Sequence, residues 1–302
     1  MLFGSLLPEP APEREIEATV LGADGAIHAL AFTPDDIQNL FIFAAVLLTG
    51  LWFVSLLGEE RRVQPGELKA AAERIKTTLR GDLKLAWSDR RTRFFFCYLS
   101  LSMLFAFSQD LILEPFAADV FGMEPRITTR FAAYWGSMAI LGTIAFLILS
   151  RRFKRLTNTV MSYVGVGLLL ATFATFALSS VAEIRGLVTP GLILLGLGLG
   201  IWNVGTLGLM MDMSPFGRAG TFLGFWTLVV TFARGLGVSG GGLLRDLGLA
   251  LGGDATIAYG AAFAIGAVGL AVSLWALSGV HANEFKRETS ADTASVFAGA
   301  LD

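Results

Sequence analysis

Long apolar stretches separated by short polar connections dominate the chain. Seven of them are long enough to cross a bilayer, whose hydrocarbon core of about 30 Å requires about 20 residues of helix. The predicted spans are residues 37–58, 94–113, 129–150, 158–181, 187–209, 218–243 and 257–279. This pattern predicts an all-α, polytopic membrane protein with about seven transmembrane helices.

The first predicted span stands apart from the other six. A connection of 35 residues, 59–93, follows it, whereas much shorter loops join the others. A twelve-helix transporter built from two six-helix halves would show this arrangement if it were read from its sixth helix onward. We therefore predict five regions: an N-terminal segment 1–36, a lone helix 37–58, a linker 59–93, a major-facilitator-type six-helix bundle 94–279 and a tail 280–302.

Apolar residues recur within the linker at every third or fourth position. They are Leu68, Ala72, Ile75, Leu79, Leu83 and Trp87, with lysine and arginine between them. This spacing predicts an amphipathic helix that lies in the membrane interface. A solvated connector is the alternative, because Gly66 and Gly81 interrupt the pattern.

Basic residues alternate between successive loops. The linker contains ten lysine or arginine residues, and the connection after the third span contains Arg151, Arg152, Lys154 and Arg155. The loop between them, 114–128, has one arginine against three acidic residues. Because basic loops stay in the cytoplasm, we expect a cytoplasmic C-terminus and an N-terminus on the other side.

The composition argues against a soluble protein and against several classes of site. Hydrophobic residues make up 54% of the chain, charged residues 16%, and the mean hydropathy is +0.64. Cys97 is the only cysteine, and His28 and His281 lie outside the predicted spans, so we expect no metal site and no disulfide. No catalytic motif or nucleic-acid-binding pattern is present, and we expect neither an enzyme nor a nucleic-acid partner. The last span lacks the lysine that a retinal protein requires.

Three ionisable residues lie at predicted membrane depth, where charged groups are costly and usually functional. Asp110 lies near the outer end of the second span, and Glu114 follows at the interface. Arg234 lies about 20 Å into the sixth span, at 1.5 Å per residue, which is a similar depth. We predict that Arg234 pairs with Asp110 or Glu114. In the alternative, both carboxylates reach interfacial water.

The fifth span carries an amide in a glycine-rich setting. Asn203 follows Trp202 near the middle of the bilayer, beside Gly196, Gly198, Gly200 and Gly205. Small residues let helices approach closely, so we interpret these glycines, and those of the sixth span, mainly as packing residues. Asn203 is a candidate to bind a neighbouring helix or a ligand.

A short hairpin joins the fifth and sixth spans. It contains Asp212 and Arg218 around a Pro-Phe-Gly turn. The two charges could lock the helix ends together as a gate, or the segment could be an ordinary turn.

Two groups of motifs resemble the PucC/LhaA family. The first is Gln109-Asp110-Leu111-Ile112-Leu113-Glu114-Pro115-Phe116, continued by Val120-Phe121-Gly122-Met123. The second comprises 209–213, 217–220, Ala233-Arg234-Gly235-Leu236-Gly237 and Leu244-Arg245-Asp246. The resemblance covers roughly 94–279. It implies a major-facilitator-like protein that carries bacteriochlorophyll or chlorophyll and assists assembly of light-harvesting complexes.

The implied cofactor is a magnesium tetrapyrrole. Magnesium accepts oxygen donors, imidazole or water, and no histidine lies in a predicted span. The candidate donors are Gln109, Asp110, Glu114, Asn203, a backbone carbonyl at a broken helix, or water. Trp202 completes the candidate pigment-binding set, while Asp212, Arg218, Arg234, Arg245 and Asp246 are candidates for structural or gating roles.

The resemblance also implies a location and partners. Family members usually have about twelve spans, so we expect a second membrane protein or a second copy to replace the missing half. We expect light-harvesting or reaction-centre polypeptides and lipid as partners in a bacterial inner, photosynthetic intracytoplasmic membrane. Two other functions remain open: a half-size secondary transporter subunit and a structural subunit of a photosynthetic complex.

Overall fold

The computed structural model describes residues 19–21, 27–29, 34–57, 87–153, 156–214 and 219–281. It divides into two compact units, 1–77 and 78–302. The predicted amphipathic helix of the linker, apart from Trp87, lies outside the described residues, as do Lys154, Arg155, Arg218 and the tail after His281.

The first unit contains a small hairpin and one helix. Strands β1 (Thr19–Leu21) and β2 (Ile27–Ala29) are antiparallel, with Val20 opposite His28. The sequence pattern did not predict these strands. Helix α1 (Pro34–Leu56) matches the predicted span 37–58, and its apolar stretch is Phe41–Ser55.

The second unit is a helical bundle. Its helices are α2 (Arg90–Phe107), α3 (Leu113–Phe121), α4 (Pro125–Thr128), α5 (Phe131–Arg152), α6 (Asn158–Val181), α7 (Val188–Asp212), α8 (Ala219–Gly252) and α9 (Ala255–Ser278). A 3-10 turn, Arg185–Leu187, leads into α7. The described part of the chain is thus a polytopic, essentially all-helical membrane protein, as predicted.

Five described segments are long and apolar enough to cross a membrane. They are Pro125–Arg152, Asn158–Val181, Arg185–Asp212, Phe222–Gly252 and Ala255–Ser278. Each overlaps one of the predicted spans. The predicted span 218–243 is much longer in the structure, because the corresponding helix α8 has 34 residues. At 1.5 Å per residue it extends about 51 Å.

The predicted span 94–113 is not one continuous helix. Helix α2 ends at Phe107, and turns of the 3-10 type, with hydrogen bonds from Asp110 N to Phe107 O and from Ile112 N to Gln109 O, lead into α3. Pro115 explains the break, because a proline has no N–H group and its ring collides with the carbonyl four residues earlier. It is tolerated in the first turn of α3 but not inside a longer helix.

Glycine contacts along the helices give the direction of each packed pair. Pairs α2–α9, α6–α9 and α6–α7 are antiparallel, whereas α5–α7 and α2–α8 are parallel. The start of α2 and the end of α5 therefore lie at the same end of the bundle. We call it the basic end, because it carries Arg90, Arg91, Arg93, Arg151 and Arg152.

The packed pairs show an approximate internal symmetry. Helices α2, α5 and α6 correspond in order to α7, α8 and α9. Under this correspondence the pair α2–α8 matches α7–α5, the pair α2–α9 matches α7–α6, and the pair α6–α9 matches itself. Since α2 and α7 run in opposite directions, the two halves have the relation of an inverted repeat. The pair α8–α9 has no counterpart of similar extent.

In each parallel pair, two glycines four residues apart allow the two helix backbones to come into close contact. A Cβ atom at Gly196 or Gly200 of α7 would collide with a backbone carbonyl oxygen of α5. Likewise, a Cβ atom at Gly237 of α8 would collide with the carbonyl oxygen of Leu104 in α2, and one at Gly241 with that of Ser108, the residue after α2. These glycines are packing residues, as interpreted from the sequence, whereas Gly220, Gly224, Gly235 and Gly240 have open space around them.

We predict that Gly237→Ala lowers the thermal stability of the detergent-solubilised protein, because the new methyl group would push α8 away from α2. Gly240→Ala on the same helix is the matched control, since nothing lies within 4 Å of its added Cβ atom. Alanine there should be neutral or stabilising by up to about 1 kcal/mol through helix propensity. Equal destabilisation by both variants would contradict the close contact between α2 and α8.

Candidate functional site

A polar corner forms where α2 ends. Gln109 is almost completely buried, and its amide nitrogen donates to Asp110 Oδ1 at 2.5 Å. The other carboxylate oxygen of Asp110 lies 3.4 Å from the Arg234 guanidinium on α8. The predicted pairing of Arg234 is therefore with Asp110. Glu114 is exposed and makes no ion pair with any described residue.

Arg234 also stacks on an aromatic ring. Its Cζ atom lies 4.3 Å from the centroid of Phe107, which is a close cation–π contact. Its side chain nevertheless remains 55% exposed on the flank of the bundle. The guanidinium is thus held from one side by a ring and a carboxylate, while the other side is open.

Phe107 links this pair to α7. Its ring centroid lies 6.2 Å from that of Trp202 in an edge-to-face arrangement. Trp202 is buried, but the next residue, Asn203, is exposed on the outside of α7. We call Phe107, Asp110, Trp202 and Arg234 the polar-aromatic face. It brings together three of the predicted site residues, Asp110, Trp202 and Arg234, around Phe107.

Helix α3 has a structural role that the sequence did not reveal. Phe116 is fully buried and packs against the rings of Phe121, Phe176, Tyr259 and Phe263. Gly122 ends the helix in the left-handed conformation with φ 59°, which favours glycine. The first family-like motif therefore encodes a corner that docks onto α6 and α9.

A polar cluster fixes this corner to the end of the bundle. The hydroxyl group of Tyr259 donates to Asp119 Oδ2 at 2.5 Å. Arg245 interacts with the same hydroxyl group and forms an ion pair with Asp246 at 2.6 Å. The structural interpretation of Arg245 and Asp246 fits this geometry. Asp119 and Tyr259 were missed, because neither spacing nor depth distinguishes them in the sequence.

A second unpredicted polar cluster lies inside the bundle. The Tyr98 hydroxyl group is hydrogen-bonded to Thr206 Oγ1 at 2.7 Å, and both residues are buried. Ser162 and the Trp202 indole surround this bond, but Ser162 Oγ and Trp202 Nε1 form no hydrogen bond of their own. The cluster joins α2, α6 and α7 behind the polar-aromatic face.

Asp212 joins two helices at the basic end. Asn158 Nδ2 donates to Asp212 Oδ2 at 2.7 Å, which ties the end of α7 to the start of α6. Since Arg218 lies outside the described residues, its pairing with Asp212 stays a prediction.

Comparison with known proteins gives one family. The model of that family, described as PUCC protein, matches residues 10–285, most of the chain. This chain belongs to the PUCC family. The match confirms the resemblance to PucC/LhaA proteins that rests on the motifs around Asp110 and Arg234.

Individual relatives of this PUCC-family protein have names that refer to bacteriochlorophyll or to PucC. The "Bacteriochlorophyll synthase 44.5 kDa chain" of Rhodobacter capsulatus is 30% identical over 250 residues, 82% of this chain and 56% of that protein. The "Protein PucC" of Cereibacter sphaeroides is 32% identical over 141 residues, 46% of this chain and 30% of its own length. The chain therefore spans about half, or less, of these relatives. No solved structure matches it.

We predict that Arg234 and Asp110 are energetically coupled in the PUCC-family protein. Arg234→Gln and Asp110→Asn should each lower the unfolding free energy, and the double variant should lose less than the sum by about 0.5–1 kcal/mol, the range of partly exposed pairs. Thermal or denaturant unfolding in detergent measures this coupling.

Glu114→Gln is the matched control, since Glu114 has no ion pair among the described residues. Its effect should simply add to that of Arg234→Gln. Additivity for the Asp110 and Arg234 variants as well would show that the pair carries no interaction energy.

Proposed function

We propose that this protein binds bacteriochlorophyll or chlorophyll in a photosynthetic membrane and assists the assembly of light-harvesting complexes. Its family membership supports a photosynthesis-related membrane protein, and the name of one relative refers to bacteriochlorophyll synthesis. We further propose that it handles the pigment without converting it chemically.

The observation that carries the proposal is the polar-aromatic face. A guanidinium at the centre of a membrane helix costs about 2.5–3.5 kcal/mol against hydrocarbon on insertion scales. Arg234 is half exposed within a spanning segment, so lipid tails alone are a poor environment for it. Such residues usually face a cavity, a ligand or another protein. An amphipathic pigment presents both an apolar ring and polar substituents.

The donor chemistry of this face fits a magnesium tetrapyrrole. The bound pigment would supply a light-absorbing macrocycle and a metal centre that accepts an axial oxygen or nitrogen donor. Asp110 is already occupied by Gln109 and Arg234, whereas the amide of Asn203, the residue that follows Trp202 on α7, is exposed and available as an axial donor. Phe107 offers an aromatic surface next to Trp202.

We predict that the protein purified in mild detergent from pigment-producing cells shows pigment absorption bands. Asn203→Leu should weaken pigment binding about tenfold, which corresponds to the loss of about 1.4 kcal/mol. Ser137→Ala is the matched control, because Ser137 is an exposed polar residue on α5 whose hydroxyl group bonds only to its own helix. The pigment-to-protein absorbance ratio measures the effect, and extraction should return unmodified pigment.

A secondary transporter subunit is the alternative function. The inverted relation of α2, α5, α6 to α7, α8, α9 supports a major-facilitator-type scaffold, which is common among transporters. Colourless protein from pigment-producing cells would favour this function. Permanent, stoichiometric association with a finished photosynthetic complex would favour a structural subunit.

We propose that a second membrane protein or a second copy covers α5 and α8. Helix α5 packs mainly on α7, and the rest of its surface is exposed and apolar. Light-harvesting or reaction-centre polypeptides are the proposed clients. They should co-purify with the protein during complex assembly and not with a variant that lacks residues 59–86 of the linker, which leaves α2 intact.

We propose that the basic end faces the cytoplasm of a photosynthetic bacterium, with the C-terminus on that side. In a Cys97→Ser background, Arg152→Cys should react with an impermeant maleimide only after spheroplasts are permeabilised. Glu124→Cys, at the opposite end, should react in intact spheroplasts. The reverse labelling would contradict this orientation and the role proposed for the linker.

A further inference from the structure

A cavity of about 460 Å³ opens at the basic end, between the start of α2 and the end of α9. Arg90, Arg91, Phe94, Trp275, Ser278 and His281 line it, and Gly279 forms part of its wall. None of these residues belongs to the polar-aromatic face, which lies toward the other end of α2.

Two aromatic rings form the apolar part of the cavity. Phe94 and Trp275 meet edge to face, with centroids 5.9 Å apart. Phe94 can lie against the end of α9 because residue 279 is glycine, where an added Cβ atom would come within 2.6 Å of the ring. Trp275 is 66% exposed on the outside of the bundle, the position of an interfacial tryptophan.

Basic groups surround the rings. The Arg90 guanidinium carbon lies 5.6 Å from the centroid of the Phe94 ring, which holds the charge beside the apolar part. His281 follows the end of α9 with φ 39° and adds an imidazole. The lining contains no carboxylate. The nearby Asp89 is engaged as the cap of α2, where it accepts from Arg91 N at 2.9 Å.

This combination selects an anionic amphiphile. A free anion would contact only the basic groups, whereas a phospholipid can contact the basic groups with its headgroup and the exposed ring of Trp275 with an acyl chain. Basic pockets between transmembrane helices at the membrane surface are suited to anionic headgroups. We propose that the cavity binds the phosphate group of an anionic phospholipid at Arg90 and His281, with an acyl chain running past Trp275.

The site is independent of the proposed pigment function, and its test needs no pigment. Native mass spectrometry of the purified full chain would compare phosphatidylglycerol with phosphatidylcholine, and inorganic phosphate would serve as a soluble competitor. We expect the wild type to retain phosphatidylglycerol preferentially, and Arg90→Gln combined with His281→Gln to weaken that preference at least about fivefold. Millimolar inorganic phosphate should not displace the lipid.

Arg93→Gln is the matched control, because Arg93 lies on the same turn of α2 but does not line the cavity. It should retain the preference. Equal binding of the two lipids, or an equal loss in Arg93→Gln, would overturn the site in favour of diffuse surface charge. Displacement by inorganic phosphate would reassign it to a free anion.

A second measurement covers the case in which the double variant does not fold. Phosphatidylglycerol brominated on its acyl chain quenches nearby tryptophan fluorescence. The fluorescence intensity lost to quenching should fall in Trp275→Phe and stay unchanged in Trp226→Phe, on α8. An equal response of the two variants would contradict an acyl chain beside Trp275.

Discussion

Close backbone contact between parallel helices is the constraint on which the rest of this bundle depends. In a membrane, lipid tails are as apolar as leucine, so burial alone does not hold helices together. Van der Waals contact at small residues has to supply much of the association. Here α7 meets α5 through Gly196 and Gly200, and α8 meets α2 through Gly237 and Gly241. Each pair of glycines fixes both the distance and the register of two helices.

The register of α8 against α2 creates the polar-aromatic face. Gly237 and Gly241 contact the carbonyl groups of Leu104 and Ser108, which places Arg234, one turn earlier, beside Phe107 and Asp110. On the other side of Phe107, the contact with Trp202 fixes the position relative to α7. The charged pair therefore depends on helix packing more than it causes that packing.

Sequence reasoning recovered the features that depend on hydrophobic length and on depth along the helices. Five spans and the Asp110–Arg234 pair follow from hydrophobic length and from matched depth along two helices. The break after Phe107 was also encoded, by Pro115, but a purely hydropathic interpretation of 94–113 overlooked it. Which glycines pack could not be predicted, because Gly237 and Gly240 differ only in whether a neighbouring backbone faces them.

The orientation of side chains around α7 could not be predicted from the sequence either. This helix is apolar on nearly every side, so its sequence has no periodic pattern of polar and apolar residues. Nothing in that pattern distinguishes the buried Trp202 from the exposed Asn203. The same limit applies to Tyr98 and Thr206, whose hydrogen bond joins residues 108 positions apart. Such partners become visible only after the helices have been placed.

The broken second span explains why polar groups can lie at this depth. Non-helical backbone within a membrane is tolerated where it is buried in protein or lines a cavity, because lipid cannot satisfy its polar groups. The turn between α2 and α3 meets this condition with its own hydrogen bonds and the buried Gln109, while Phe116 anchors α3 below it. Arg234 nevertheless remains half exposed on that flank, and lipid tails do not satisfy its guanidinium group. The turn is therefore well packed, but the surface beside it leaves a charged group exposed. Such an arrangement is expected of a site that receives a ligand or a partner.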